Sequence, residues 1–460
     1  MMNAEEKINQ IRKEGQVKSW ITNHAFIICI SSFIIIKSII LLLYLSIFYY
    51  LGQPVGDNGY PRFHTGIDFF DLLGTRWDSN IYIPIAENGY IPINSPNDYR
   101  AWVFPPLYPI LIRLLVLISP FEIPYTISAV LVSNLFSVTS VITFFSMSRL
   151  YFDEINSIYA SLLFSFFPPV FVFSTVAYSE PIFFTFGVIS WYFFEKKRYS
   201  LSGLSLALAT LTRYEGALLF FIYGGIFIGR NLSQKGIKAT LGCMLAIPVF
   251  PLILGLRCMI NIWETLKSNS TMSSWINTIQ VKIQKKYTGS KNINSKISDL
   301  VNFLEINLTW VLIWGVIPLI WFLHINAIAP LPLSEIRIRH WGARFEYPFA
   351  GFYDMIRLGD IKWLIEKYSF VFLITIVGIF SVKKWPSLSL LIISQVLFYT
   401  SYIAAGWSIV RYVGSIFQTH IVLMDELSVS PKLYSLVLTL FILYSFKVLW
   451  SFTHWSLWLI

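Results

Sequence analysis

AFIICISSFIIIKSIILLLYLSIFYY occupies residues 25–50. This apolar run exceeds the ~20 residues of helix needed to cross a hydrocarbon core. It is too long for the apolar part of a signal peptide and lacks a small-residue cleavage site, so it reads as a retained first span. Lys7, Arg12, Lys13 and Lys18 precede it and place the N-terminus in the cytoplasm. Lys37 lies inside the run, and the sequence offers it no evident partner.

Outward from this stretch, similar runs recur at 104–119, 124–149, 157–176, 179–195, 200–229, 240–262, 309–328, 368–382, 387–404, 408–424 and 433–459. Hydrophobic residues make up 55% of the chain and charged residues 13%, against roughly 25% charge in a soluble domain. The runs do not alternate apolar and polar residues, which excludes a barrel. The expectation is an all-α polytopic membrane protein with about 11–12 transmembrane segments. The net charge of +10 does not point to nucleic acid, because no soluble domain is present to carry a binding face. Basic residues gather in loops, where they set orientation and meet membrane lipids. Cys29, Cys243 and Cys258 lie in apolar segments and form neither a disulfide framework nor a metal-ligand pattern.

The chain divides into an N-terminal transmembrane module at 1–262, a Lys-rich cytoplasmic loop at 263–308, and C-terminal transmembrane segments at 309–460. Lys267, Lys282, Lys285, Lys286, Lys291 and Lys296 fix the loop on the cytoplasmic side, as do Lys196, Lys197, Arg198, Lys383 and Lys384 for their own turns. The polar regions 51–103 and 329–367 then share the far side with Glu180. Two places resist this scheme. Three apolar runs separate the 51–103 loop from Glu180, so one of them must fail to cross. The proline-rich runs 104–119 and 157–176 are the candidates. Treating 200–229 as one kinked crossing puts Arg230, Lys235 and Lys238 outside, whereas a short hairpin is the other reading.

Several charges sit in or beside apolar runs. Asp78 stands in Arg76-Trp77-Asp78, just after the first span, where it either acts on a lipid-borne substrate or pairs with Arg76. Glu180 precedes Pro181 and either opens a helix or faces a polar cavity. Arg213 and Glu215 either pair at a helix break or line such a cavity. Arg411 either snorkels to the interface or does the same. Arg337, Trp341 and Arg344 fall near helical spacing in a basic, aromatic segment with His340. It suits either a lipid phosphate or a rest on headgroups. No Gly-rich phosphate loop, Walker pattern or metal-ligand cluster is present, so no cofactor and no metal are expected. A sugar-nucleotide enzyme needs a soluble domain, for which this chain has no room. An active site on the far face would therefore draw its activated group from a lipid carrier.

The ordered set of motifs resembles the PIG-V family, the second mannosyltransferase of glycosylphosphatidylinositol assembly, and its prokaryotic relatives in the GT-C class. It runs through Arg76-Trp77-Asp78, Ile85-Ala86-Glu87-Asn88-Gly89-Tyr90, Phe104-Pro105-Pro106-Leu107-Tyr108-Pro109 and Ala177-Tyr178-Ser179-Glu180. It continues through Gly203 to Gly216, His340-Trp341-Gly342-Ala343-Arg344 and Arg411-Tyr412. The chain departs from the pattern at Val103-Phe104-Pro105-Pro106, at the displaced Arg344 and in the Lys-rich 263–308 insertion.

The resemblance implies a GT-C-like fold and inverting transfer of a hexose, mannose in the family, from a polyprenyl or dolichyl phosphate to a lipid-linked acceptor. The membrane would be the plasma membrane in a prokaryote and the endoplasmic reticulum in a eukaryote. An acceptor hydroxyl needs a base, and Asp78 is the candidate. Arg411, His340 and Arg213 are candidates to stabilise the departing phosphate. Glu180 would orient hydroxyls, and Trp77, Tyr178 and Trp341 would stack on sugar or lipid. Arg76, Arg344 and Tyr412 complete the expected binding set. A secondary transporter or flippase, and a non-catalytic subunit of a glycosylation complex, are the competing readings. The absence of an internal repeat counts against the former, and Asp78 against the latter.

Overall fold

The computed structural model describes residues 4–51, 69–232, 315–343, 345–359, 361–402 and 405–453. The 240–262 run, the Lys-rich 263–308 loop, Lys235, Lys238, Arg344 and Asp360 lie outside these residues. The architecture is the all-α polytopic one that composition predicts. Among the described residues, three helices are long and apolar enough to cross a membrane: His24–Ile47 within α1 (Ala4–Leu51), α5 (Tyr125–Ser148) and α18 (Pro431–Thr453). A fourth arises if the bent pair α11 (Gly315–Ile328) and α12 (Leu333–Trp341) is one span. Among the described residues, the other expected spans are shorter or broken helices.

Those breaks follow from the sequence. Pro168 and Pro169 open α7 (Pro168–Phe173) and cut it from α6 (Glu154–Ser165), because proline starts a helix well but cannot continue one. Phe167 is accordingly extended at φ −60°, ψ 126°. Pro181 likewise opens α8 (Glu180–Glu195). Lys37 finds its reason at the far end of α7. Its Nζ donates to the Ser174 carbonyl at 2.9 Å, just past the end of α7, and to Ser137 Oγ at 3.0 Å. Helix ends leave carbonyls without partners, and a cation there is favourable.

α5 is the central post. Its buried Ser128, Ser133, Ser137, Ser140 and Ser148 keep its faces narrow, so neighbouring helices approach closely. α4 (Leu107–Ile118) runs antiparallel to the first half of α5. Tyr108 Oη lies 2.9 Å from the Ala129 carbonyl and 2.8 Å from Ser133 Oγ, and Ser128 Oγ donates to the Ile112 carbonyl. At 12 residues α4 spans about 18 Å, and it ends in the turn that starts α5. A run this short that turns straight back would, by not crossing, remove the odd count. The broken α6–α7 pair supplies the return path, from the Arg149–Glu154 ion pair up to Glu180.

The 200–229 run is a hairpin. α9 (Tyr199–Thr212) climbs beside α8, with Ser202 Oγ donating to the Ser190 carbonyl, and ends at Arg213 beside Glu180. α10 (Glu215–Leu232) then descends until Arg230 meets Glu195 at 2.8 Å and Ser387 at 3.0 Å. Arg230 thus joins Lys196 and Arg198 at the basic end of the molecule, and for Arg230 the conflict in the one-crossing reading disappears. The turn is tight. A Cβ on Gly216 would lie 2.5 Å from the Thr210 backbone nitrogen.

The C-terminal part follows the same two ends. α13 (Ala350–Leu358) leads into α14 (Ile361–Phe380), which descends to Lys383 and Lys384. α15 (Pro386–Ser401) climbs back, the short α16 (Ala405–Gly414) and α17 (Gln418–Leu427) form a broken descent, and α18 climbs to Thr453. At the top of α18 the Thr453 carbonyl accepts from Arg76 Nε, and Tyr44 of α1 meets the Thr453 hydroxyl.

Two predictions follow from this topology. In a background without Cys29, Cys243 and Cys258, single cysteines at Ser95, Glu122 and Ser334 should all react with an impermeant thiol reagent from one face. A cysteine at Lys196 should react only from the other. Labelling of Glu122→Cys from the Lys196 side would mean that α4 crosses. Second, Gly216→Ala should destabilise the protein by about 1–3 kcal/mol, because the added carbon meets backbone rather than a yielding side chain. The midpoint of thermal unfolding in detergent measures it.

Candidate active site

The segment before α3 (Ser79–Asn88) is zipped to the segment before α8. Ala177 N donates to the Leu73 carbonyl at 2.9 Å, Ser79 Oγ to the Ala177 carbonyl at 2.9 Å, and Asp78 N to Tyr178 Oη at 3.2 Å. Tyr82 Oη and Ser179 Oγ lie 2.8 Å apart. Ser133 of α5 holds the other side of Tyr178, receiving its N–H at 3.1 Å and donating to its carbonyl at 2.8 Å. Ser133 stands roughly two turns, about 12 Å, in from the start of α5, so these motifs meet within the depth of the helices.

Trp77 turns the chain with φ +54°, a left-handed value that a bulky residue adopts only under constraint. Asp78 follows at the N-cap of α3, where an aspartate commonly accepts a backbone N–H of the first turn. It makes no such cap bond. Its Oδ2 instead accepts from Arg411 Nη1 at 2.7 Å, and Oδ1 takes no hydrogen bond among the described residues.

Arg411 starts a chain of charges. Its Nε lies 2.9 Å from Glu180 Oε1, which also accepts from Arg213 Nη1 at 2.6 Å. Arg213 places Nε and Nη2 on Glu215 Oε1 at 3.1 and 2.6 Å. Glu180 is 1% exposed and its Oε2 has no hydrogen-bond partner. Tyr412 separates the two cations, its ring centroid 5.4 Å from the Arg213 guanidinium and 5.5 Å from that of Arg411. Tyr178 and Phe173 stack on Arg411 from its other sides. Three carboxylates and two guanidiniums make a nearly buried cluster with one surplus negative charge.

Above this cluster opens a cavity of about 240 Å³. Asp78, Arg213, Glu215, Arg411 and Tyr412 form its charged floor, with Tyr82 and Tyr214 beside them. Val103, Phe104 and Pro105 form one wall, Arg337 and Trp341 of α12 another, and Phe345, Phe398 and Tyr402 the mouth. A 3₁₀ turn, Arg100–Val103, carries the first wall. Arg100 pins the loop before it by forking onto Asp98, with two bonds of 2.8 Å. Those bonds hold the Asp98 carboxyl down to about 2, so the loop contact is intact above pH 4 and loosens only as pH falls toward 2.

The expected site residues are thus distributed unevenly. Asp78, Arg213, Trp341, Arg411 and Tyr412 reach the cavity. Glu180 and Tyr178 lie beneath it and hold Arg411 and Asp78. Arg76 does not pair with Asp78. It donates to Thr75 and the Thr453 carbonyl, while Trp77 Nε1 donates to the Phe452 carbonyl. Both anchor the loop to α18. His340 is exposed, its ring centroid 5.7 Å from that of Trp341, and does not line the cavity. The Arg213–Glu215 pair at a helix break and the helix-opening position of Glu180 are both present, and neither keeps its residue out of the cluster. Arg411 is buried and does not snorkel. The expected set omitted Tyr82, Tyr214, Arg337 and the aromatic mouth. For Arg337 the signal was its four-residue spacing from Trp341. Among the described residues no His, Cys, Asp and Glu side chains gather as metal ligands.

Residues 69–228 match the family model of the PIG-V mannosyltransferases. No curated protein matches the chain. The match supports a glycosyltransferase of the PIG-V type, as the motifs implied. It runs from α2 (Phe69–Gly74) into α10, and so contains Asp78, Glu180, Arg213 and Glu215. Arg411 and Arg337 enter from beyond it.

Glu180→Gln should cost about 3–5 kcal/mol of stability, since it leaves two buried guanidiniums without their shared counter-charge. Chemical denaturation in detergent gives the number. A change under about 0.5 kcal/mol would show that the cluster is not held together through Glu180.

Proposed function

We propose that this chain is a multi-pass membrane glycosyltransferase that moves a hexose, mannose by its family, from a polyprenyl phosphate to a hydroxyl of a lipid-linked acceptor. Asp78 serves as general base. The observation that carries this reading is the asymmetry of its carboxylate. Arg411 pins Oδ2, and Oδ1 takes no hydrogen bond beside the cavity. Asp78 Oδ1 would take the acceptor proton while the acceptor oxygen bonds to the anomeric carbon and the carbon–phosphate-oxygen bond breaks. Attack opposite the leaving group inverts the centre. The lipid phosphate departs with the bonding pair.

Arg411 supports the base by fixing the carboxylate's orientation. Its Nη2 has no partner among the described residues. Glu180 holds both arginines apart from bulk solvent and sets their spacing. Trp341 offers a face for the sugar. The basic end, with Arg149, Lys196, Arg198, Arg230 and Lys384, would face the cytoplasm by the positive-inside rule, and the cavity the opposite side.

Asp78→Asn keeps the shape and removes the basicity. Transfer from a polyprenyl-phosphate-mannose donor to a panel of lipid glycan acceptors should fall about 10²–10⁴-fold. Turnover like the wild type in a variant with an unchanged melting midpoint would remove Asp78 from the chemistry.

A further inference from the structure

Arg337 differs from the other cavity arginines. Arg213 and Arg411 each lie against two carboxylates. Arg337 has no carboxylate partner among the described residues, and the acid on its own helix, Glu335, is engaged by Arg339. Its guanidinium is half-buried and stacks on the Tyr214 ring at 4.7 Å from the centroid, and Tyr402 lines the same cavity. Tyr214 thus positions a cation whose side-chain donors make no hydrogen bond among the described residues. The floor of the same cavity carries one surplus negative charge, so an anion is repelled there and favoured at the Arg337 wall.

The cavity mouth adds a second requirement. Phe345 and Phe398 line it with ring centroids 5.3 Å apart, and Tyr402 stands 5.0 Å from Phe345. A backbone bridge between Phe345 and Tyr402 holds this slot. Phe345 is 62% exposed and Phe398 36%, and Phe398 lies on the apolar α15 beside exposed Leu397. The mouth thus opens toward the lipid phase. A ligand that satisfies both features has an anionic head and an apolar tail.

We propose that Arg337 binds the phosphate of the lipid carrier, and that the Phe345–Phe398–Tyr402 slot receives the first units of its tail. The assignment rests on the glycosyltransferase reading for the identity of the carrier, but not for the existence of the subsite. It orders the cavity, with the phosphate on the α12 wall, the sugar between, and the acceptor hydroxyl over Asp78. Arg337 can present two parallel N–H donors to phosphate oxygens, which a lysine cannot.

The test measures binding of a polyprenyl monophosphate to the full chain in nanodiscs of neutral phosphatidylcholine. Competing arms use the uncharged polyprenol, inorganic phosphate and phosphatidic acid. Arg337→Ala should weaken polyprenyl phosphate binding by roughly 10- to 100-fold, the worth of hydrogen bonds to a charged group. Arg337→Lys should restore part of it, and polyprenol binding should not change. Phe345→Ala should weaken both the phosphate and the polyprenol. In transfer assays Arg337→Ala should raise the donor KM by a similar factor and leave the acceptor KM in place. Unchanged polyprenyl phosphate affinity in a well-folded Arg337→Ala protein overturns the subsite. So does equal competition by phosphatidic acid, which would make Arg337 a headgroup contact, or by inorganic phosphate, which would make the tail slot irrelevant. Binding that depends on Arg337, in a wild-type protein that transfers nothing from any lipid-phosphate sugar, would keep the subsite and sink the transferase reading instead.

Discussion

Glu180 Oε1 is the point on which the site turns. One carboxylate oxygen lies within 3 Å of two guanidiniums, in a setting where each ion has lost most of its water. Desolvating such charges costs several kcal/mol per ion, and only close pairing offsets it. The arrangement is tolerable because it is extended. Asp78 neutralises Arg411 from one side and Glu215 neutralises Arg213 from the other. Four separate parts of the chain must be in register for this to happen: the turn before α3, the start of α8, the α9–α10 turn and the end of α16. An error in any one strands a charge, so the cluster selects one packing of helices that apolar contacts alone would leave free to slide. Apolar burial against lipid carries little such selectivity, since lipid tails are as apolar as leucine.

The broken helices and the cluster require each other. A continuous helix consumes its own backbone groups and points side chains sideways, whereas a break exposes polar backbone and aims residues along the axis. Breaks at Phe167, Arg213 and the α16–α17 junction would be costly in lipid unless other groups met the freed polar atoms. They are met at the end of α7 by Lys37 and by Ser133 and Asn134 of α5 around Thr175 and Tyr178, while Gly414 lets the end of α16 sit directly on Pro169. A Cβ on Gly414 would stand 2.4 Å from that proline ring. The serines of α5 thus serve the site as much as they serve helix packing.

What the sequence displayed of this was governed by how unusual each feature is in an apolar chain. The helical membrane class showed in composition alone. Asp78, Glu180, Arg213 and Arg411 showed because a charge at membrane depth is expensive and needs a reason. Which charges touch did not show. The sequence pairs Asp78 naturally with its neighbour Arg76, yet the partner lies 333 positions away. Arg76 is drawn off by the carbonyl at the top of α18, a contact no local pattern encodes. The α4 run looked like a span because hydropathy measures apolarity and not direction. What apolarity does not display is the run's short length and the turn at 119–124 that lays it antiparallel against α5, with Tyr108 beside Ser133. Arg337 showed only as one member of a segment suited to a lipid phosphate or to headgroups, because a basic residue in a polar loop is ordinary. It becomes distinctive only when its neighbours are seen to hold tyrosines instead of acids.

The division of the cavity between the two parts of the chain follows from the same charges. The segment that matches the PIG-V model supplies all three carboxylates of the cluster and one of its cations, so alone it would hold two uncompensated negative charges. The C-terminal helices bring Arg411 to correct part of that excess, and Arg337 to hold a positive charge apart from it. Proton removal needs a basic, negative locus, and a departing phosphate needs a positive one. Placing both on one segment would invite their neutralisation by each other, as has happened with Arg213 and Glu215. With Asp78 carried just before α3 and Arg337 on α12, where it stacks on Tyr214, a carboxylate and a cation without an acid partner among the described residues stand apart in one cavity. On the proposed reading, a glycosyl donor that is anionic at one end and electrophilic beside it would fit between them in one direction.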